Sequence, residues 1–251
     1  MAVNTEKNSY TVIFAAIMVV IVGSVLAFLA SSLSGKISEN ERLEKQQNIL
    51  YAMGVNENGD DEGSVNFVST SEVAGEFEKY IKEQLVIQGD DITKDENAYL
   101  IDLKKEESLA KTGKERRLPL FVGERDGKEY YIIPMRGKGL WDAIWGFMSL
   151  DANMVVQGVF FDHAGETPGL GANINQRYFM DDFIGESVLS GSRYVGVEVA
   201  KGNNDPTNER KDDNAVDALA GSTITGNGVT AMIRETLNLY KPYLETIRVK
   251  K

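Results

Sequence analysis

Between Asn8 and Gly35 the chain carries no charged residue, and 10–33 is nearly all apolar. At about 1.5 Å of rise per residue, ~20 helical residues span the roughly 30 Å hydrocarbon core of a bilayer. Val12, Ile13, Phe14, Ile17, Met18, Val19, Val20, Ile21, Val22, Val25, Leu26, Phe28 and Leu29 cover every face of such a helix. A helix that is apolar all round belongs in lipid or deep inside protein. A cleaved signal peptide would have a shorter apolar core, ~7–15 residues, behind a clearly basic start. Here only Lys7 precedes the run, with Glu6 beside it. The run therefore reads as a retained anchor in the lipid bilayer. Gly23, Ser24, Ala27, Ala30 and Ser31 suit either close approach of another helix or a lipid-facing span.

Composition removes several functions. Formal net charge is -11, from 38 acidic and 27 basic residues, and no basic stripe interrupts it. A nucleic acid would be repelled by that balance. With no cysteine and a single histidine, His163, the chain lacks thiolate-held iron–sulfur clusters, disulfides, cysteine nucleophiles and the usual Cys/His zinc sites. Redox chemistry would need an organic cofactor or another subunit, and no metal site is expected. The acidic pairs Asp60–Asp61, Asp90–Asp91, Asp181–Asp182 and Asp212–Asp213 read as solvated loop charge, since none has other ligands at a metal-binding spacing.

The pattern after the anchor predicts an amphipathic helix over 37–55, an acidic glycine-containing loop over 56–63 and a second short helix over 76–87. Strands are expected at 98–103, 118–122, 129–135, 154–161 and 194–199, rich in Val, Ile, Tyr and Phe. Val229, Met232, Ile233, Leu237, Tyr240 and Leu244 recur at helical spacing, with Pro242 as a kink or an end. Strands with few interleaved helices suggest an α+β domain. The expected division is a tail over 1–9, a transmembrane helix over 10–33, a juxtamembrane helix and acidic loop over 34–63, and a soluble domain over 64–251.

Gly226-x-Gly228-x-x-Ala231 fits a loose dinucleotide pattern but lacks the βαβ unit that would make it a nicotinamide site. No phosphate-loop or nucleophile-elbow sequence occurs, and nothing positions a serine beside His163 for hydrolysis. Three segments carry more. In 130–151, Gly137 and Gly139 precede Trp141 and Trp145; this suits close approach of a planar ligand, and equally a tight turn packing tryptophans. In 163–174, glycines and a proline surround Glu166 and Thr167, as a polar ligand site or a simple connection would have them. In 217–229, glycines bracket Ser222, Thr223 and Thr225 ahead of the last helix. Such a helix start receives phosphate well, although an ordinary Ser/Thr cap looks the same.

Taken together and in order, these segments resemble the FMN-binding domain family shared by NqrC, of the sodium-pumping NADH:quinone oxidoreductase, and RnfG, of the Rnf complex. The family's flavinylation motif is Asp, two variable residues, Ser or Thr, Gly, Ala, then the acceptor Thr or Ser. Here Asp217, Gly221 and Thr223 match it, while Ala220 and Ser222 exchange the small hydroxyl and the methyl. The loop ETPGLG at 166–171 matches without departure. The NILYAMGV segment (48–55), the IIPMRGKGLWDAIWG stretch and the overall length indicate the NqrC branch rather than the RnfG branch.

The resemblance implies an FMN joined by a phosphoester to Thr223, transferred from FAD by a separate flavin transferase. It implies flavin contacts from Thr167 and Leu170, contacts near phosphate and ring from Ser222, Ile224 and Thr225, and a second wall from Gly139, Leu140 and Trp141. Glu166 and Gly221 join this set, and Lys201 would either face the anionic flavin or be an ordinary surface lysine. It further implies that other membrane subunits of the NADH:quinone oxidoreductase complex are partners. The chain would relay electrons from a single-pass position in the bacterial inner membrane, its domain on the periplasmic side. The count of Lys36, Arg42 and Lys45 after the span against Lys7 before it points the other way, weakly for a long translocated domain.

Overall fold

The computed structural model describes residues 7–59, 63, 65–203 and 205–249. Helix α1 runs Asn8–Ala52 without a break. The chain divides into two units, Met1–Leu43 and Glu44–Lys251. The first contains the apolar part of α1; no residue of its most apolar window is buried, and the helix is long and apolar enough to cross a membrane. Residues 1–6 of the expected tail, and 60–62 of the acidic loop with Asp60 and Asp61, lie outside the described residues.

The second unit is α+β, as the strand-rich pattern predicts. The end of α1 belongs to its core: Ile49, Leu50, Ala52 and Met53 are fully buried. Each large apolar side chain there contributes roughly 1.5–3 kcal/mol. The helix stops where Gly54 takes a left-handed φ of 77°. The Val55 amide then donates back to the Leu50 carbonyl at 2.9 Å. Arg125 Nη1 donates to the Met53 carbonyl at 2.6 Å. Orphan carbonyls at the helix end are thereby paired.

After α2 (Val73–Tyr80) come β1 (Ile81–Gln88), β2 (Asp91–Lys94), α3 (Leu103–Ala110), β3 (Leu118–Arg125), β4 (Lys128–Lys138), β5 (Ala143–Leu150) and β6 (Val156–His163). The six strands form one antiparallel sheet in the order β2-β1-β3-β4-β5-β6. Its register pairs Phe121 with Ile132, Pro134 with Phe147 and Met135 with Gly146. Alternation then puts Gly123, Ile132 and Phe160 on the face that meets Met53 and Tyr51 of the first helix segment. Ile133, Met135 and Gly137 lie on the other face, where α5 (Thr223–Val249) packs and Met232 sits against Gly137. Because both faces are covered, β4 reads as the continuous apolar run YYIIPM rather than an alternating one. Between β6 and α5 the chain forms α4 (Arg177–Asp181) and four two-residue strands: β7 (Leu189–Ser190), β8 (Arg193–Tyr194), β9 (Glu198–Val199) and β10 (Ala215–Val216).

Three local expectations are corrected. The helix expected over 76–87 ends at Tyr80, and 81–88 is strand β1. Leu85, Val86 and Ile87 are buried in succession, paired with Leu120, Pro119 and Leu118, and that burial outweighs the helical preference of Lys, Glu and Gln nearby. The strand expected at 98–103 is a 3-10 turn at Ala98–Leu100 followed by Asp102, whose carboxylate accepts from the Lys104 and Lys105 amides and starts α3. The strand at 194–199 is broken by Gly196 at φ 78° into β8 and β9. Strand β5 was hidden among tryptophans, although its buried positions Ile144, Gly146 and Met148 alternate. Pro242 lies within α5 and ends nothing.

Candidate functional site

The first turn of α5 is held on the end of β4 by close backbone approach. A Cβ on Gly228 would collide with the Lys138 carbonyl oxygen. The chain reaches α5 from β10, whose parallel pairing with β9 sets Val216 beside Val199. Asp217 follows, and its Oδ1 accepts from the Asp205 amide at 3.3 Å. A turn closed by the Ser222 amide donating to Leu219 at 3.0 Å brings in Gly221 at φ 67°, where an L side chain is strained. Thr223 is the first helical residue. The first amide to reach back along the helix is that of Gly226, donating to Ser222 at 2.9 Å. The amides of Thr223, Ile224 and Thr225 thus stand at the helix start, where donors lack intrahelical acceptors. The segment 217–229 is expected ahead of the helix; the helix instead takes in 223–229, and Gly226 and Gly228 lie within its first turns, packed close against Val199 and Lys138.

Facing this turn is 166–171. Pro168 and Gly169 (φ 76°) with the Leu170 amide donating to Thr167 at 3.1 Å carry the signature of a type II turn. His163 anchors its start: Nδ1 accepts from the Glu166 amide at 3.2 Å. The only histidine of the chain therefore shapes a loop.

Glu166 joins the parts. It is 4% exposed. Oε1 accepts from the Trp141 amide at 2.9 Å, and Oε2 accepts from Thr225 Oγ1 at 2.6 Å. Burial pushes its carboxyl up, but the Thr225 hydroxyl and the Trp141 and Asp142 amides outweigh burial and hold it below the ordinary carboxylate value. It is an ionised carboxylate under a pocket.

That pocket, ≈ 280 Å³, is lined by Leu140, Glu166, Thr167, Leu170, Gly171, Gly221, Ser222, Thr223, Ile224 and Thr225. Side chains from three separate segments converge there. Of the residues singled out from sequence, Gly139 and Trp141 adjoin the pocket without lining it, and Trp141 is 67% exposed. Lys201 is exposed beyond β9 and does not line it; Asp217 stands behind the turn. Gly171 was missed, and the signal was its place in ETPGLG beside Glu166. Two hydroxyls face inward: Thr225 bonds Glu166, and Ser222 Oγ donates to the Ala220 carbonyl at 3.3 Å. Thr223 is exposed at the mouth. Leu140, Leu170 and Ile224 are exposed apolar side chains around it.

An open cleft with helix-start amides, exposed hydroxyls at Thr167 and Thr223 and an apolar rim fits a planar ligand that ends in an anion. A planar ring would cover the rim, and the anion would meet the amides.

Comparison with known proteins identifies the relatives of the chain. The profile of the FMN-binding domain family matches residues 139–238. NqrC of the Na(+)-translocating NADH-quinone reductase from Pseudomonas aeruginosa is 29% identical over 248 residues, 92% of this chain and 91% of that one. The protein of the same name from Yersinia pestis is 28% identical, covering 98% and 95%. Among solved structures, NqrC of the Na(+)-translocating NADH-quinone reductase from Parabacteroides distasonis superposes with a TM-score of 0.69 at 31% identity, over 84% of this chain and 96% of that chain.

Proposed function

The chain belongs to the NqrC family of the Na(+)-translocating NADH-quinone reductases, and we propose that it is the flavin-bearing, membrane-anchored electron relay of such a complex. In this reading FMN is joined through its phosphate to Thr223 Oγ1. The observation that carries it is the position of Thr223: first residue of α5, exposed at the pocket mouth, among helix-start amides. Bound flavin supplies the electron-carrying chemistry.

The chain's own residues then have separate tasks. Thr223 tethers and does no acid–base work. The amides of Thr223, Ile224 and Thr225 receive the phosphate, helped by the positive end of α5. Leu140, Leu170 and Ile224 shield the ring from water, Trp141 extends that wall, and Thr167 offers a hydroxyl at the rim. Gly221 lets the turn close. Asp217 completes the motif that the flavin transferase reads. Exposed Lys201 adds positive charge on the approach to the helix start. The apolar part of α1 anchors the chain in the bacterial inner membrane, the other membrane subunits are its partners, and the domain lies on the periplasmic side.

Co-expression with a flavin transferase tests the site. Denaturing gel fluorescence should show a flavin band, and the intact mass should rise by FMN less one water. Both should vanish in Thr223→Val, which keeps the side-chain shape and removes the nucleophilic oxygen. A fluorescent band that persists in that variant moves the attachment elsewhere.

A further inference from the structure

We propose that Glu166 is the positioning residue of the flavin site and, separately, the group that sets a negative field on the ring. This rests on the reading that flavin occupies the pocket.

Three segments meet at the pocket: the turn that carries Leu140, the loop 166–171, and 221–225 at the start of α5. Among the described residues, the two bonds accepted by the Glu166 carboxylate are the side-chain hydrogen bonds that join these segments, at 2.9 Å to Trp141 N and 2.6 Å to Thr225 Oγ1. The backbone is built around that carboxylate. A Cβ on Gly139 would stand 2.5 Å from Oε1, and one on Gly171 would collide with both Oε2 and Thr225 Oγ1. Only glycine leaves the two oxygens room on both sides.

A neutral side chain would suffice to link the walls. A glutamine has an oxygen to accept from Trp141 and an amide to donate to Thr225 Oγ1, so the same two links survive without charge. The carboxylate instead leaves a negative charge lining the pocket; it forms no ion pair among the described residues, and His163 acts on it less than its hydrogen bonds do. Inside a protein such a charge is poorly screened. Electron density added to a ring in this pocket is disfavoured, so the charge holds the flavin's midpoint potential down.

The two tasks separate experimentally in the full-length, flavin-loaded protein. Glu166→Gln should keep the flavin mass and the visible circular dichroism of the bound flavin, yet shift its midpoint potential in the positive direction. Glu166→Ala should lose much of that dichroism and lower the anisotropy of flavin fluorescence, because the walls part. Thr225→Val, which removes one link and keeps the charge, should show the weakened dichroism without the Glu166→Gln shift in potential. An unchanged potential in Glu166→Gln overturns the field; wild-type dichroism in both Glu166→Ala and Thr225→Val overturns the positioning. Wild-type protein without the flavin mass sinks the Thr223 reading instead, and this inference with it.

Discussion

Glu186 sits at 0% exposure, and neither carboxyl oxygen has a hydrogen-bond partner in good geometry. Burial pushes its pKa up to about 7; Lys211 opposes this and Asp213 and Asp212 add to it. The folded protein therefore holds a proton here that the unfolded chain releases near pH 4.5. The stability that this neutral form supplies is complete below about pH 4.5 and is lost as pH rises toward 7. Glu186→Gln should remove that decline and stabilise the protein at pH 8 by roughly 2 kcal/mol, read from denaturant titrations at several pH values. Glu166 and Glu106 act in the opposite sense, since both carboxyls are held below the ordinary value. Their contribution is present above the unfolded carboxylate pKa and is lost on acidification, so the two windows do not overlap. At Gly221 the backbone is the constraint: Ala there meets a left-handed φ of 67° and Leu170 Cδ2 at 2.9 Å. Gly221→Ala should cost about 1–2 kcal/mol from the backbone alone and reduce flavin incorporation in the gel assay.

Among the elements, α5 does most to place the site, and its docking is checked at its middle. Tyr240 is buried, and its hydroxyl donates to the Pro119 carbonyl at 2.7 Å across to β3. Tyr240→Phe should lower stability by about 1 kcal/mol while leaving flavin attachment at the distant first turn intact. The apolar face of α5 was readable, because Val229, Met232, Ile233, Leu237, Tyr240 and Leu244 keep helical spacing and all are buried. Strand β1 was not readable in the same way. Its Lys, Glu and Gln suit a helix, and only pairing with β3 makes extended backbone the better choice for Leu85, Val86 and Ile87.

At the scale of the whole molecule, the division of the chain at Leu43 and Glu44 sets a boundary for dissection. A chain starting at Gly35 should be soluble and fold, because it keeps Ile49, Leu50 and Met53 in the core of the second unit. A chain starting at Gly54 exposes the places of Met53, Ala52 and Tyr51 against Gly123, Gly158 and Phe160 and should aggregate or melt far lower. Circular-dichroism melts and size-exclusion profiles of the two fragments distinguish these outcomes. A folded and monomeric second fragment would mean that the end of α1 is dispensable to the core.

Local regularities were enough for the long apolar helix, the last helix and the order of the glycine-rich segments. Each depends on side chains a few residues apart: an unbroken apolar run, a repeat near 3.6, a turn built from Pro168 and Gly169. Contacts between distant parts of the chain decided the rest. The pocket exists because 140, 166–171 and 221–225 meet. Thr225 turns its hydroxyl inward because a carboxylate 59 residues earlier in the chain accepts it. Such a bond has no trace in local spacing, since its partners are chosen by the packing of α5 on β4.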